Sequence, residues 1–156
     1  MEQREITAKY IVCSIDELDA KLREIVEEAR AATAGSYSPY SHFKVGAVVA
    51  LDDGTLVRGA NQENAAYPSG LCAERTALFA AGSQYPNVGV SLLCIAACDE
   101  NGEFTEKPVT PCGACRQVLV ETEQRTGHPI IVMLAGRDKF YLFHSAADLL
   151  PLSFDF

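Results

Sequence analysis

Two short stretches carry residue types at spacings that suit chemistry. In "GLCAERTALFAAG", residues 70–82, Cys72 stands two positions before Glu74, where a small-residue, apolar helical pattern begins. In "TPCGACRQVLVE", Cys112 and Cys115 form a Cys-x-x-Cys pair, also at the opening of a helical pattern. Thiolates three residues apart can converge on one ion, the spacing that zinc sites use, although thioredoxin-like redox pairs share it. The third cysteine, followed by Glu, tips the balance to metal. Three protein ligands leave the fourth position of a zinc open for water, whereas structural zinc takes four. Each thiol lies at or near an expected helix N-terminus, where unsatisfied amides and the dipole lower thiol pKa. Positions i and i+2 of a regular helix point to different faces, which argues against Glu74 as a fourth ligand. With Cys72 at the helix entry and Glu74 in the first turn, the carboxylate is placed to shuttle a water proton. Without the cysteines it would read as a residue stabilising the helix dipole. Arg75 and Arg116 each follow a key side chain and offer the thiolates positive charge or form surface ion pairs; for Arg116 the ion pair is the expectation.

The elements that must position these side chains are legible on either side. "SIDELDAKLREIVEEARAATAG" opens with Ser14 and Glu17 in a capping-box pattern, puts Leu18, Leu22, Ile25, Val26 and Ala29 on one helical face, and stops at Gly35. "FKVGAVVALDDGTLVRGANQE" reads as two strands joined by a turn at Asp52-Asp53-Gly54. After the Cys72 helix, "VGVSLLCIAAC" is an apolar run suited to a buried strand, followed by a polar turn around Asn101-Gly102. The Cys-x-x-Cys helix ends at Gly127, "PIIVMLA" and "KFYLFH" are further strands, and Ser145 caps a last helical turn halted by Pro151. Residues 5–12, with Ile6, Ala8, Tyr10 and Val12 on one side, form a possible extra strand. Alternation of strands and helices implies an α/β layered domain, with helices on both faces of a mixed sheet of about five strands.

A chain of 156 residues suits one domain, residues 1–156, with residues 1–13 as an N-terminal extension. Its net charge of −8 argues against a grip on phosphate backbones, so nucleic acid is not an expected partner. No stretch approaches the roughly 18–20 apolar residues of a membrane span, and "MEQREITAKY" lacks the pattern of a secretory signal. A cytoplasmic location is the default, and the six cysteines read as reduced thiols and metal ligands rather than a disulfide framework. Cys13, Cys94 and Cys98 lie outside the metal pattern, as do His42, His128 and His144; Cys94 and Cys98 read as core residues.

The combination Cys72-Ala73-Glu74 with Pro111-Cys112-Gly113-Ala114-Cys115 matches the zinc-deaminase signature, with Cys in the place often held by His. Through "SPYSHFKVGA", "GANQENAAYPSGLCAERTA", "TPCGACRQ" and "LLPLSF", the chain resembles the small, homotetrameric cytidine deaminases of pyrimidine salvage over about residues 15–154. The resemblance implies a three-layer α/β/α cytidine-deaminase-like fold, one zinc per subunit, a nucleoside substrate, and active sites near subunit interfaces. It places Phe43 on the pyrimidine ring, Asn61 and Glu63 on the ribose hydroxyl, and the Ala73 backbone amide on the base. It also implies that Arg75 hydrogen-bonds the zinc thiolates. Tyr40 and Tyr67 match pocket or subunit-contact tyrosines, and Phe154 resembles a C-terminal aromatic that reaches an active site, often a neighbour's. Without the resemblance, Phe43 reads as a core strand residue and Asn61 and Glu63 as turn residues. The expected reaction is hydrolytic deamination of cytidine and deoxycytidine. Its rivals are deamination of a nucleotide, of blasticidin or of a base in nucleic acid, and a structural zinc module in a binding protein.

Overall fold

Residues alternating along the central strands face two separate cores, and that alternation sets the layers. The computed structural model describes residues 1–155. Strands β1 (Ile11–Cys13), β2 (Lys44–Leu51), β3 (Leu56–Ala60), β4 (Val90–Cys98), β5 (Ile131–Ala135) and β6 (Phe140–Phe143) form one sheet in the order β1-β6-β5-β4-β2-β3. The β4 and β5 pair is parallel; the other neighbours are antiparallel. Helices α1 (Ala20–Ala32), α2 (Ala73–Gln84) and α3 (Gly113–Thr126) cover it. Val49, Leu93, Ile95 and Val132 share a core with Ala77, Leu78 and Leu119, which puts α2 and α3 on one face. Val48, Leu92, Cys94 and Met133 share the other core with Ile25, Val26 and Ala29 of α1. Strand β4 is buried on both faces, which is why it reads as an unbroken apolar run.

Three layers were expected and are present, but the sheet has six strands rather than about five. The sixth is β1, whose Ile11 to Cys13 pair with Leu142 to Phe140. It shares only Ile11 and Val12 with the expected 5–12 strand and adds Cys13, so Ile6, Ala8 and Tyr10 lie before it. Tyr10, just before it, stacks on Phe143 with ring centroids 5.1 Å apart.

The expected first helix also starts later. The Glu17 carboxylate accepts from the Ser14 N–H (2.8 Å) and hydroxyl (3.0 Å), but this closes only a short 3-10 turn at Ile15–Glu17. Asp19 caps α1, accepting from the Leu22 N–H at 2.8 Å. The hairpin turn falls at the expected place, with Gly54 at φ +89°.

Gly59 on β3 sets the position of α2. A Cβ there would lie 2.6 Å from the Ala73 carbonyl oxygen and closer still to the Ala77 nitrogen. Only a bare backbone lets the first turns of α2 rest directly on the strand. Those turns carry Cys72, Glu74 and Arg75.

Candidate active site

The N-termini of α2 and α3 meet at three sulfurs. Cys72 is the N-cap of α2 and Cys112 the N-cap of α3, both in extended conformation. Their carbonyls accept the first helical hydrogen bonds, from the Thr76 and Arg116 amides at 3.0 Å each. Cys115 follows within the first turn of α3. The Cys72 and Cys112 sulfurs are 3.9 Å apart, those of Cys112 and Cys115 3.5 Å, and all three lie within 4.8 Å of one another. Ligands about 2.3 Å from a tetrahedral zinc stand about 3.8 Å from each other, so the donor set fits that ion in kind and in spacing. Cys115 is buried, Cys72 half-buried and Cys112 exposed, which leaves one side of the cluster open. No other grouping of three metal-ligand side chains occurs among the described residues.

The electrostatics concentrate charge on Cys72. Its thiol is lowered to about 5, first by a hydrogen bond from Cys115 and then by the Arg75 guanidinium, whose Nη2 lies 3.6 Å from the sulfur. Cys115, which gives that hydrogen bond and is buried, is raised in turn. Arg75 Nε is buried without a hydrogen-bond partner among the described residues.

Glu74, in the first turn of α2, is 5% exposed. Burial pushes its carboxyl above the usual range, with the nearby Cys72 charge acting in the same direction. Cys72 at the helix entry and Glu74 just inside it is the arrangement expected from their i, i+2 spacing.

Arg116 forms no ion pair among the described residues, contrary to expectation. Its Nε donates to the Pro111 carbonyl (2.8 Å) and its Nη1 to that of Leu149 (2.9 Å), tying the Cys-x-x-Cys entry to the C-terminal segment.

Beside Cys72 opens a cleft of about 490 Å³, lined by Tyr40, Ser41, Asn61, Glu63, Tyr67 and Arg75 among others. The Tyr40 and Tyr67 rings meet edge to face at 6.4 Å. Asn61 Oδ1 accepts from the Val45 N–H (2.8 Å) and the Ser36 hydroxyl (2.6 Å), and its Nδ2 donates to the Phe43 carbonyl (2.9 Å). Glu63 accepts from the Tyr40 and Ser41 amides and the Ser41 hydroxyl. These contacts, with the Ser41 hydroxyl the largest, hold its carboxyl below the usual range. Phe43 precedes β2 and is 36% exposed, so it is not a core strand residue.

Ala73 is fully buried and Phe154 is held to α3 by a hydrogen bond from Gln117 Nε2 to its carbonyl (2.9 Å); neither of them, nor Phe43 or Glu74, lines the cleft of this chain. A larger groove of about 650 Å³ between α2 and α3 contains neither the thiols nor Glu74. Ser41 was missed by sequence reasoning: it belongs to "SPYSHFKVGA", but nothing in spacing pairs it with Glu63.

Comparison with known proteins agrees with this geometry. Residues 19–128 match the family described as the cytidine and deoxycytidylate deaminase zinc-binding region. A cytidine deaminase of Halalkalibacterium halodurans is 47% identical over 97 residues, 62% of this chain and 68% of the relative. One of Mycobacterium tuberculosis is 43% identical over 105 residues, 65% of this chain and 74% of the relative. The crystal structure of cytidine deaminase from Burkholderia pseudomallei superposes with a TM-score of 0.71 at 39% identity, covering 84% of this chain and 97% of that one. With the matched region spanning both cysteine motifs and the same fold around them, the chain belongs to the cytidine and deoxycytidylate deaminase zinc-binding family.

Proposed function

We propose that this chain hydrolytically deaminates cytidine and 2′-deoxycytidine to uridine and 2′-deoxyuridine, releasing ammonia, in pyrimidine salvage. The observation that carries the reading is the convergence of three thiols on the face of α2 and α3 where Glu74, a buried carboxylate, enters the first helical turn. The names of the similar proteins support the same substrate class.

Cys72, Cys112 and Cys115 would hold the zinc, one per subunit, and bound zinc supplies Lewis acidity toward the attacking water. Glu74 accepts a proton from that water as its oxygen attacks C4 of the cytosine ring, and delivers the proton to N3. It then carries the proton of the new hydroxyl to the departing amino group, so that C4 becomes a carbonyl and ammonia leaves. A carboxyl raised by burial suits this work, because holding and releasing a proton near neutral pH are then closer in energy. Arg75 offsets thiolate charge. Asn61 and Glu63 bind the sugar hydroxyl, Phe43 and Tyr67 pack around the nucleoside, and the Ala73 amide meets the base. The cleft, of a size for one small ligand, and the net charge of −8 favour a free nucleoside over nucleic acid.

The reading includes a single domain over residues 1–156 with residues 1–13 as an extension, and a cytoplasmic setting, which the six free cysteines support. It also includes a homotetramer in which Phe154 reaches a neighbouring site. The test is the ultraviolet absorbance change when purified, zinc-loaded protein meets cytidine, with Glu74→Gln in parallel. Loss of cytidine with ammonia release only in the unmodified protein is the expected result; no turnover by that protein would overturn the reading.

A further inference from the structure

Three side chains around the cleft, those of Glu63, Ser41 and Asn61, are linked through the backbone of Phe43. Glu63 Oε2 accepts from the backbone amides of Tyr40 (2.9 Å) and Ser41 (3.2 Å), while Oε1 accepts from the Ser41 hydroxyl. The Ser41 oxygen in turn accepts the Phe43 N–H at 3.1 Å. The Phe43 carbonyl takes the Asn61 Nδ2 hydrogen bond at 2.9 Å. Both polar groups of the Phe43 backbone are therefore held by side chains that line the cleft. His42 makes the closure possible: at φ +55°, with its N–H on the Ser38 carbonyl (3.0 Å), it turns the Phe43 N–H back toward Ser41. A non-glycine residue in the left-handed region is uncommon and persists where surrounding contacts enforce it.

We infer that Ser41 is a positioning residue whose hydroxyl fixes the Glu63 carboxylate at the cleft wall and locks it to the peptide that carries Phe43. The inference rests on the proposed nucleoside site with Glu63 at the sugar. Two backbone amides anchor one oxygen of Glu63, but an anchor on one oxygen leaves the carboxylate free to swing. The hydroxyl on the second oxygen removes that freedom and leaves a remaining lone pair of Oε1 for a sugar hydroxyl. An acceptor fixed before substrate arrives binds with less loss of conformational freedom. Ser41 thus acts through Glu63 on sugar recognition.

The test compares the unmodified enzyme, Ser41→Ala, Ser41→Thr and Glu63→Gln on cytidine and on 2′,3′-dideoxycytidine. Ser41→Ala is expected to raise the KM for cytidine about tenfold, with kcat within about twofold, as loss of a hydrogen bond to a charged group implies. Its KM for the dideoxynucleoside should change less than about threefold, since neither the 2′- nor the 3′-hydroxyl remains to be recognised. Ser41→Thr, which keeps the hydroxyl, should restore most of the loss. An equal loss on both substrates, or a fall in kcat at constant KM, overturns the inference. If the unmodified enzyme and Glu63→Gln both fail to distinguish the two nucleosides, Glu63 does not bind the 2′- or 3′-hydroxyl and the inference falls with that assignment. If the unmodified enzyme turns over neither, it is the proposed function that fails.

Discussion

The Cys72 and Cys112 sulfurs lie 3.9 Å apart because each residue caps the N-terminus of its own helix, and the two helices start side by side on one face of the sheet. First-turn amides and two helix dipoles face the negative charge that a thiolate cluster gathers. The metal ligands are thus also the residues at which α2 and α3 begin, so metal and fold are coupled.

That coupling predicts the effect of chelation. Stripping zinc should abolish turnover and lower the Tm by roughly 5–10 °C, as loss of a ligand held near a hundredfold above its Kd implies for a domain of this size. Metal analysis with calorimetry before and after dialysis against a chelator checks it. An unchanged Tm in demonstrably metal-free protein would show that the helix starts stand without the ion.

Arg75 is the cation beside Cys72, at 3.6 Å. Replacing it by Gln removes charge compensation while leaving a donor, and zinc affinity should fall about 10–100-fold, the usual consequence of losing a partner of the metal ligands. Competition with a chromophoric chelator reads this directly. Unaltered affinity would reduce Arg75 to a bystander.

Gly59 has no room for a methyl group beneath α2. Gly59→Ala should destabilise the domain by about 1–3 kcal/mol, the cost of overpacking a tight contact. Because Cys72 and Glu74 ride on the displaced turn, zinc retention should fall as well. Urea unfolding and metal content measured on the same preparation test both effects, and a variant as stable and as zinc-loaded as the parent contradicts the close approach.

Glu123 of α3 joins three segments. Its Oε2 accepts from the Ile130 and Ala146 amides at 2.7 Å each, and its Oε1 from the Ser145 hydroxyl at 2.7 Å. Ile130 and Ala146 are buried, so Glu123→Ala strands two amides away from water. A loss of about 2–4 kcal/mol is expected by denaturant unfolding, from the desolvation cost of unsatisfied donors. A loss below about 1 kcal/mol would mean that the amides find other partners.

What could be read from the sequence follows from how local each determinant is. Gly54 and Gly127 mark a turn and a helix end because only a left-handed backbone serves there, and the structure has both at positive φ. The helix entries at Cys72 and Cys112 were legible because their ligand spacing and their helical patterns coincide. The start of α1 was not: Ser14 and Asp19 both offer a capping oxygen, and the choice of Asp19 depends on packing. The Arg116 partner Leu149 and the Ser41 partner Glu63 lie far along the chain, and pattern reading has no access to such pairs. The short β1 depends on the free edge of β6, which is likewise a tertiary fact.

His128 Nε2 lies 3.0 Å from Asp52 Oδ2, joining the residue after the α3 stop to the turn between β2 and β3. The hydrogen bond to Asp52, followed by that to the Pro129 carbonyl, raises the imidazole pKa above its ordinary 6.5. A folded-state pKa above the unfolded value means that the protonated ring is favoured by folding. Its contribution is fully present below about pH 6.5 and disappears as pH rises through the folded-state value. Both side chains are open to solvent, so the effect on global stability is small and screened by salt. The ring titration itself is the sharper observable. By NMR, the His128 midpoint should lie above 6.5 and fall back toward it in Asp52→Asn and at high ionic strength. A midpoint at or below 6.5 in the unmodified protein would show that the pair does not persist in solution.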